Sequence, residues 1–315
     1  MAAPIDVVYT WVDDGFPGYL ELRNRYAETP HDLNPNRTRD NLELLRFSLR
    51  SLVRHASWVR RVYLVTCRPQ VPGWLDPSAA GLTVVHHDQI MDAALLPTFN
   101  SFAILSHLHR IEGLSERFLY FEDDMLLGNR VDPSDFVDAE GLIKVYPRAE
   151  WTAAPSERDS ATTSPWNAAL AHSNHLLDAA FGPARRRTVN HVPLLVDKAA
   201  WRAMQARWTE DLAHTAASRF RAKYNVAPEF LYLYYLLGAG QARLQSFRRT
   251  YTTCFYHGLE NSRLFALYGR AMIRLLRPKL IALNDNFDAT PNPAVVAAMR
   301  RFLEARYPEK SPFER

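Results

Sequence analysis

The sequence predicts an α/β fold, with a mostly parallel sheet in its first half and a helix-rich second half. Three observations predict it. Short β-branched and aromatic runs alternate with helical patterns as far as Glu122. Acidic residues cluster where two of those runs end. Beyond Asn167 the apolar spacing is mainly helical. Alternating strands and helices favour a parallel sheet covered on both faces, with ligands outside the carboxyl ends of its strands.

The elements follow in order. "IDVVYTWVD" (residues 5–13) predicts a buried strand running into a loop at Gly15 and Pro17. In "RDNLELLRFSLRSLVRHA", Leu42, Leu45, Leu49, Leu52 and Val53 share one helical face, and Asp40 with Glu43 predicts a capping box. "RRVYLVT" and "LTVVHH" predict two more strands. "NSFAILSHLHRI" predicts a helix opening at Asn100 or Ser101, and "RFLYFED" a fourth strand. Residues 146–167, rich in Ser, Thr, Pro and Ala, predict a loop or flap. Helices are expected over 168–180, 197–208, 229–237 and 262–276, then a strand "KLIAL" running into "NDN" and a last helix over 293–306.

Composition narrows the function. The chain has 315 residues, 47% hydrophobic and 23% charged, enough for a large core and typical of a globular protein. A formal net charge of +4 is too mild for a nucleic-acid binder and suits an enzyme of anionic substrates. Cys67 and Cys254 show no metal-ligand spacing and no disulfide framework, which suggests a reducing compartment. "MAAPID" has no export signal, so a cytoplasmic protein is expected. "FLYLYYLLGAG" is too short to span a bilayer, while the basic "ARRR" (residues 184–187) leaves surface association open, at the inner face of the membrane.

Four stretches carry candidate chemistry. In "FLYFEDDMLLG" three acids, Glu122, Asp123 and Asp124, stand between apolar runs. Side chains of an extended segment alternate, so all three cannot meet at one point. A close pair repels unless a cation lies between, and carboxylates suit Mg²⁺ or Mn²⁺. The alternative is a solvated turn. His191, in "TVNHVPLLVDK", lies close before a proline that favours extended backbone; it is either a structural histidine or a general base with a near-neutral pKa. Arg221, in "RFRAKYN", is either surface decoration or a fork for phosphate oxygens. "LNDN" (residues 283–286) is a turn or a polar ligand wall. His107 and His109 lack the spacing of a helical zinc pair.

Taken together, "IDVVYTWVDDG", "DNLELLRFSLRSLVRHASWVRRVYLVT", "QVPGWLD", "LPTFNSFAILSHLHRIEGLSERFLYFEDDMLLG", "HVPLLVDK", "LNDNFDATPNP" and "YPEKSPFE" resemble the four blocks of the Stealth family of sugar-phosphate transferases. The resemblance implies a Rossmann-like core related to the GT-A glycosyltransferases, and a divalent cation, Mg²⁺ or Mn²⁺. The implied reaction moves a hexose-1-phosphate, for example N-acetylglucosamine-1-phosphate, from a UDP-sugar to an acceptor saccharide in capsule or exopolysaccharide synthesis. A glycosyltransferase releasing a nucleoside diphosphate and a non-catalytic polysaccharide-binding relative are the other readings. By the same resemblance Asp123 and Asp124 hold the metal, and His191, Arg221 and Asp124 are catalytic. Asp13, Asn284 and Asp285, with Arg46, Asn100, Arg110 and Lys198 inside the quoted blocks, are the substrate-binding candidates. Glu122 replaces an asparagine that usually precedes the acid pair, Asp14 a glycine, and Cys67-Arg68 a turn. One catalytic domain is expected over 1–315, with a nucleotide-sugar half over 1–145, the flap over 146–167, and the helical part over 168–315 completing the site.

Overall fold

The computed structural model describes residues 4–28, 39–160, 162–287 and 290–315. Residues 1–3, residue 161 of the expected flap and residues 288–289 of the last block lie outside that description. Among the described residues the first half runs β1 (Ile5–Thr10), α1 (Tyr19–Tyr26), α2 (Leu44–His55), β2 (Val62–Thr66), β3 (Leu82–His86), α3 (Ser101–His107), β4 (Arg117–Glu122), β5 (Met125–Leu127), β6 (Ile143–Val145) and β7 (Pro147–Trp151). It continues through α4 (Pro165–Phe181), β8 (Arg187–Val189), β9 (Leu194–Asp197), α5 (Lys198–Arg207), α6 (Thr209–Ala217) and α7 (Pro228–Gly238). The remainder is β10 (Ala242–Leu244), α8 (Phe247–Thr253), β11 (Cys254–Leu259), α9 (Arg263–Leu276), β12 (Leu280–Asp285) and α10 (Pro293–Arg306).

Five strands form the main sheet in the order β3-β2-β1-β4-β9. β1 to β4 are parallel and β9 is an antiparallel edge. The order 3-2-1-4 reverses direction between β1 and β4, which opens a crevice outside their carboxyl ends. β2 is buried along its whole length, as the continuous run "VYLVT" requires of a strand covered on both faces. A second sheet, β11-β12-β5, pairs β12 with β5 antiparallel, Ala282 opposite Met125 and Leu280 opposite Leu127. β4 and β5 therefore belong to different sheets, and Asp123 and Asp124 form the turn where the chain crosses from one to the other. Three acids can therefore stand inside an apolar stretch, because the runs on both sides are buried strands.

Two apolar clusters follow the two sheets. The larger packs Val7, Leu64, Leu119, Leu195, Phe102 and Leu231 around the main sheet, and the smaller joins Phe47, Leu126, Ile281, Leu283, Met299 and Phe302. α2 touches both. Its base is tied by an ion cluster: Glu314 accepts from Arg46 Nε at 2.7 Å and from Arg50 Nε and Nη2 at 2.7 and 2.6 Å. The Glu314 side chain is 1% exposed and that of Arg50 8%. Burial opposes its charge, but the two guanidiniums hold the carboxyl down at about 2.

Several expectations need correction. The flap is largely structured: β7 pairs antiparallel with β8, and α4 already begins at Pro165 behind its Ser164 cap. No capping box forms at α2. Glu43 takes a left-handed backbone, φ 54°, and turns its carboxylate to Arg46, leaving Asp40 to accept from the Leu44 amide at 3.1 Å. Val53 is 42% exposed because it falls at the edge of the Leu45–Leu49–Leu52 face. The first strand stops at Thr10, and α1, α6, α8 and the strands β5, β6, β10 and β11 were not anticipated. Most of these are short pieces with no room for a period. None of the described helices is long and apolar enough to cross a membrane.

Candidate functional site

A cavity of about 570 Å³ opens at the β1/β4 crevice and is walled by residues from both sheets, α3, α7 and the β8–β9 connection. Its floor is acidic. Ligand atoms of Glu122, Asp124 and His191 lie within 4.8 Å of one another. His191 Nε2 is 2.9 Å from Asp124 Oδ1 and 3.1 Å from Oδ2, with Glu122 Oε2 at 3.9 Å. The second sheet completes the arrangement: the Leu283 amide donates to the Asp124 carbonyl at 3.0 Å, and Asn284 Nδ2 to Asp124 Oδ2 at 3.1 Å. The two carboxylates fit a divalent cation of the Mg²⁺ or Mn²⁺ kind, and the imidazole stands beside them. The group thus joins Glu122 and His191 to Asp124 of the expected pair, and Asp123 lines the same cavity.

The charges are poised against one another. Burial opposes ionisation of Asp124, yet His191 and Asn284 hold its carboxyl below the usual carboxylate range. Burial also opposes a charged His191, but Asp124 and Glu122 outweigh it and raise the ring to about 10. The near-neutral titration expected of His191 therefore does not hold in this metal-free arrangement, where it is an imidazolium held by carboxylates. Burial first, then Asp124, Asp40 and Glu122, pushes Asp123 well above the ordinary range. Burial and the Glu122 charge push Glu229 up to about 7, and burial raises Asp40 to about 6.

Arg221 reaches the cavity from the loop before α7. Its guanidinium lies 4.4 Å over Phe102 and 5.1 Å from the Trp166 ring centre, and it donates to Ser101 Oγ at 2.6 Å. Asn284 and Asp285 also line the cavity; Asp285 accepts from Asn41 Nδ2 at 2.7 Å and from the Phe287 amide.

Five other candidates lie off the cavity, four of them held by a structural partner. Asp13 accepts from the Gly15 amide in a tight turn at 2.9 Å. Arg46 belongs to the Glu314 cluster. Asn100 is fully buried as the cap of α3, accepting from Phe102 N at 3.1 Å and donating to Asn225 Oδ1 at 2.9 Å. Arg110 is exposed at the end of a short turn after α3, and Lys198 donates to the Leu114 carbonyl at 3.2 Å. Conversely, Glu229, Arg148 and Tyr256 line the cavity without having been singled out. Glu229 follows Pro228 in the first turn of α7, which in sequence reads as ordinary helix-start chemistry. Arg148 lies 4.7 Å over the Tyr256 ring, a contact between segments more than a hundred residues apart that no local pattern announces.

Comparison with known proteins gives the family. Models of Stealth protein conserved regions 2, 3 and 4 match residues 37–145, 190–238 and 271–315, together well over half of the chain. Exopolysaccharide phosphotransferase SCO6023 of Streptomyces coelicolor is 36% identical, covering 99% of this chain and 52% of the relative. Capsular polysaccharide phosphotransferase SacB of Neisseria meningitidis serogroup A is 30% identical, covering 99% of this chain and 57% of the relative. The chain thus spans little more than half the length of these curated relatives. Among solved structures, the galactosyltransferase LgtC, in complex with donor and acceptor sugar analogues, superposes with a TM-score of 0.42 at 11% identity over 96% of this chain and 95% of that one. The three matched regions carry α2 to β6, the His191 segment with Arg221 and Glu229, and the Asn284–Asp285 strand end, and on that ground the chain belongs to the Stealth family.

Proposed function

We propose that this chain is the catalytic unit of a metal-dependent sugar-1-phosphate transferase, acting on a nucleotide sugar and an acceptor saccharide in capsule or exopolysaccharide synthesis. The observation that carries the reading is the cluster of Glu122, Asp124 and His191 at the floor of one cavity, opposite Arg221. Relatives named as exopolysaccharide and capsular polysaccharide phosphotransferases support the same reaction class. In the reaction, an acceptor hydroxyl oxygen bonds to the phosphorus that carries the sugar. The bond from that phosphorus to the nucleoside phosphate breaks, a phosphodiester forms, and the nucleoside monophosphate leaves.

Phosphoryl transfer depends on positioning and charge more than on covalent work by the protein. Glu122 and Asp124 would hold the divalent cation, which when bound would neutralise the donor's diphosphate. Arg221, stiffened by Phe102 and Trp166, presents a planar fork to phosphate oxygens. Asn284 fixes the Asp124 carboxylate. His191, with Nε2 2.9 Å from Asp124 Oδ1, stands beside the carboxylates as the group to take the acceptor proton, a role typically contributing about 10²–10⁴ in rate.

The test is to incubate the protein with a UDP-sugar and candidate acceptors and identify the nucleotide released. Release of monophosphate, abolished by EDTA and restored by Mg²⁺ or Mn²⁺, is expected. Release of diphosphate would identify a glycosyltransferase instead, and undiminished turnover in EDTA would remove the cation from the reaction.

A further inference from the structure

β7 and β8 line the cavity at one end and leave it at the other. Tyr146, Arg148, Thr188, Val189 and Asn190 belong to the wall. At the outer end Trp151 pairs with Arg187 across the ladder, and Trp151 is 45% exposed. The Arg187 guanidinium lies 3.8 Å from the centre of that ring and the Arg185 guanidinium 4.4 Å. Arg187 also sits 4.9 Å from the Phe247 ring, and Phe247 stacks on Tyr251 with ring centres 6.3 Å apart. Phe247 and Tyr251 are 39% and 56% exposed.

The charges on this surface are unbalanced. Among the described residues neither Arg185 nor Arg187 makes an ion pair. The nearest acid on the strand, Glu150, is engaged by Arg148 at 3.2 Å, and Arg186 is taken by Asp178 at 2.6 Å. Two guanidiniums gathered on one indole repel each other, and the ring offsets this in part. Such a pair favours an anion that can accept from both forks. The neighbouring exposed aromatic faces suit the apolar face of a sugar ring. From Arg187 to His191 the chain spans at most about 13 Å, a reach that exceeds one sugar.

We propose that Trp151, Arg185, Arg187, Phe247 and Tyr251 form a binding platform for an anionic, phosphodiester-linked saccharide chain whose end enters the cavity as acceptor. The proposal rests on the phosphotransferase reading, since that reaction makes such a chain. It makes the preferred acceptor an oligomer already bearing backbone phosphates.

The experiment titrates the full chain with a phosphodiester-linked hexose-1-phosphate oligomer and with a neutral dextran oligomer of matched length. The charged oligomer should bind more tightly, and added salt should weaken it. Arg185→Gln/Arg187→Gln should reduce its affinity about tenfold or more, the scale of two charge-assisted contacts. Arg187 also donates to the Ala149 carbonyl, so Arg185→Gln alone, at an exposed side chain, serves as the variant least exposed to misfolding. In turnover, KM for the oligomer should rise relative to KM for a single hexose acceptor. Equal binding of both oligomers, or equal affinity in wild type and the folded variants, overturns the platform. The titration needs no turnover, so a protein that releases no nucleoside monophosphate would defeat the activity reading while the binding result still decides the platform.

Discussion

Two ion clusters in this protein set carboxylates against cationic side chains to opposite ends. Around Glu314, one carboxylate meets two guanidiniums, every charge is answered, and the carboxyl is held at about 2. Around His191, the acids Asp124, Glu122 and Glu229 crowd one imidazolium, and the carboxyls of Glu229 and the neighbouring Asp123 are forced upward. The first cluster is finished without a ligand, whereas the second is arranged for a charge that arrives from outside. A perturbed ionisable group alone does not separate structure from function, since both clusters have them; what separates them is whether the charges close on themselves.

The comparison can be broken most forcefully at Glu314. Glu314→Ala leaves Arg50 buried without its carboxylate and should destabilise by about 3–5 kcal/mol, on the order of 10 °C in Tm, read by thermal melting. Its stabilisation is present above the ordinary glutamate pKa and should be lost as pH falls toward about 2. A melt unchanged by the substitution would show the cluster to be an ornament of the surface.

Asp124→Asn should act mainly on activity, lowering turnover by about 10²-fold or more while lowering Tm less than Glu314→Ala, because the attraction to His191 that is lost is partly offset by relief from the neighbouring acids. The pH profile sharpens this. In chelator, the His191 ring is raised from 6.5 to about 10, so its contribution is full below pH 6.5 and is lost as pH climbs through 10. Asp124, held low, contributes above its ordinary pKa and loses that as pH falls through its lowered one. Stability of the chelated protein should therefore decline on the alkaline side, and the slope should flatten in Asp124→Asn. The smallest effect is expected at the exposed Arg68–Asp88 pair, where Asp88→Asn should change stability by no more than about 0.5 kcal/mol in urea titration.

Much of the fold was readable because buried parallel strands are continuous apolar runs, and α4, α5, α7, α9 and α10 carry long helical patterns. The site was readable only in part. Glu122, Asp124, His191 and Arg221 stood out through unusual neighbours or a family block, but which acid joins Asp124 depends on a turn between two sheets. Arg46 and Asn100 carry functional residue types inside those blocks, yet one closes an ion cluster and the other caps a helix. Glu229 and Arg148 were missed because their meaning arises only when distant segments meet.

The turn between β4 and β5 also has a temporal consequence. β5 leaves the ribosome long before β12, its partner in the second sheet, and Asp124 waits for Asn284, 160 residues later. At about 5–20 residues per second, that interval is on the order of ten to thirty seconds. Through it the nascent chain carries an unpaired apolar strand beside unscreened acids. The floor of the cavity is therefore among the last parts of the chain to mature, and its assembly depends on the pace of translation.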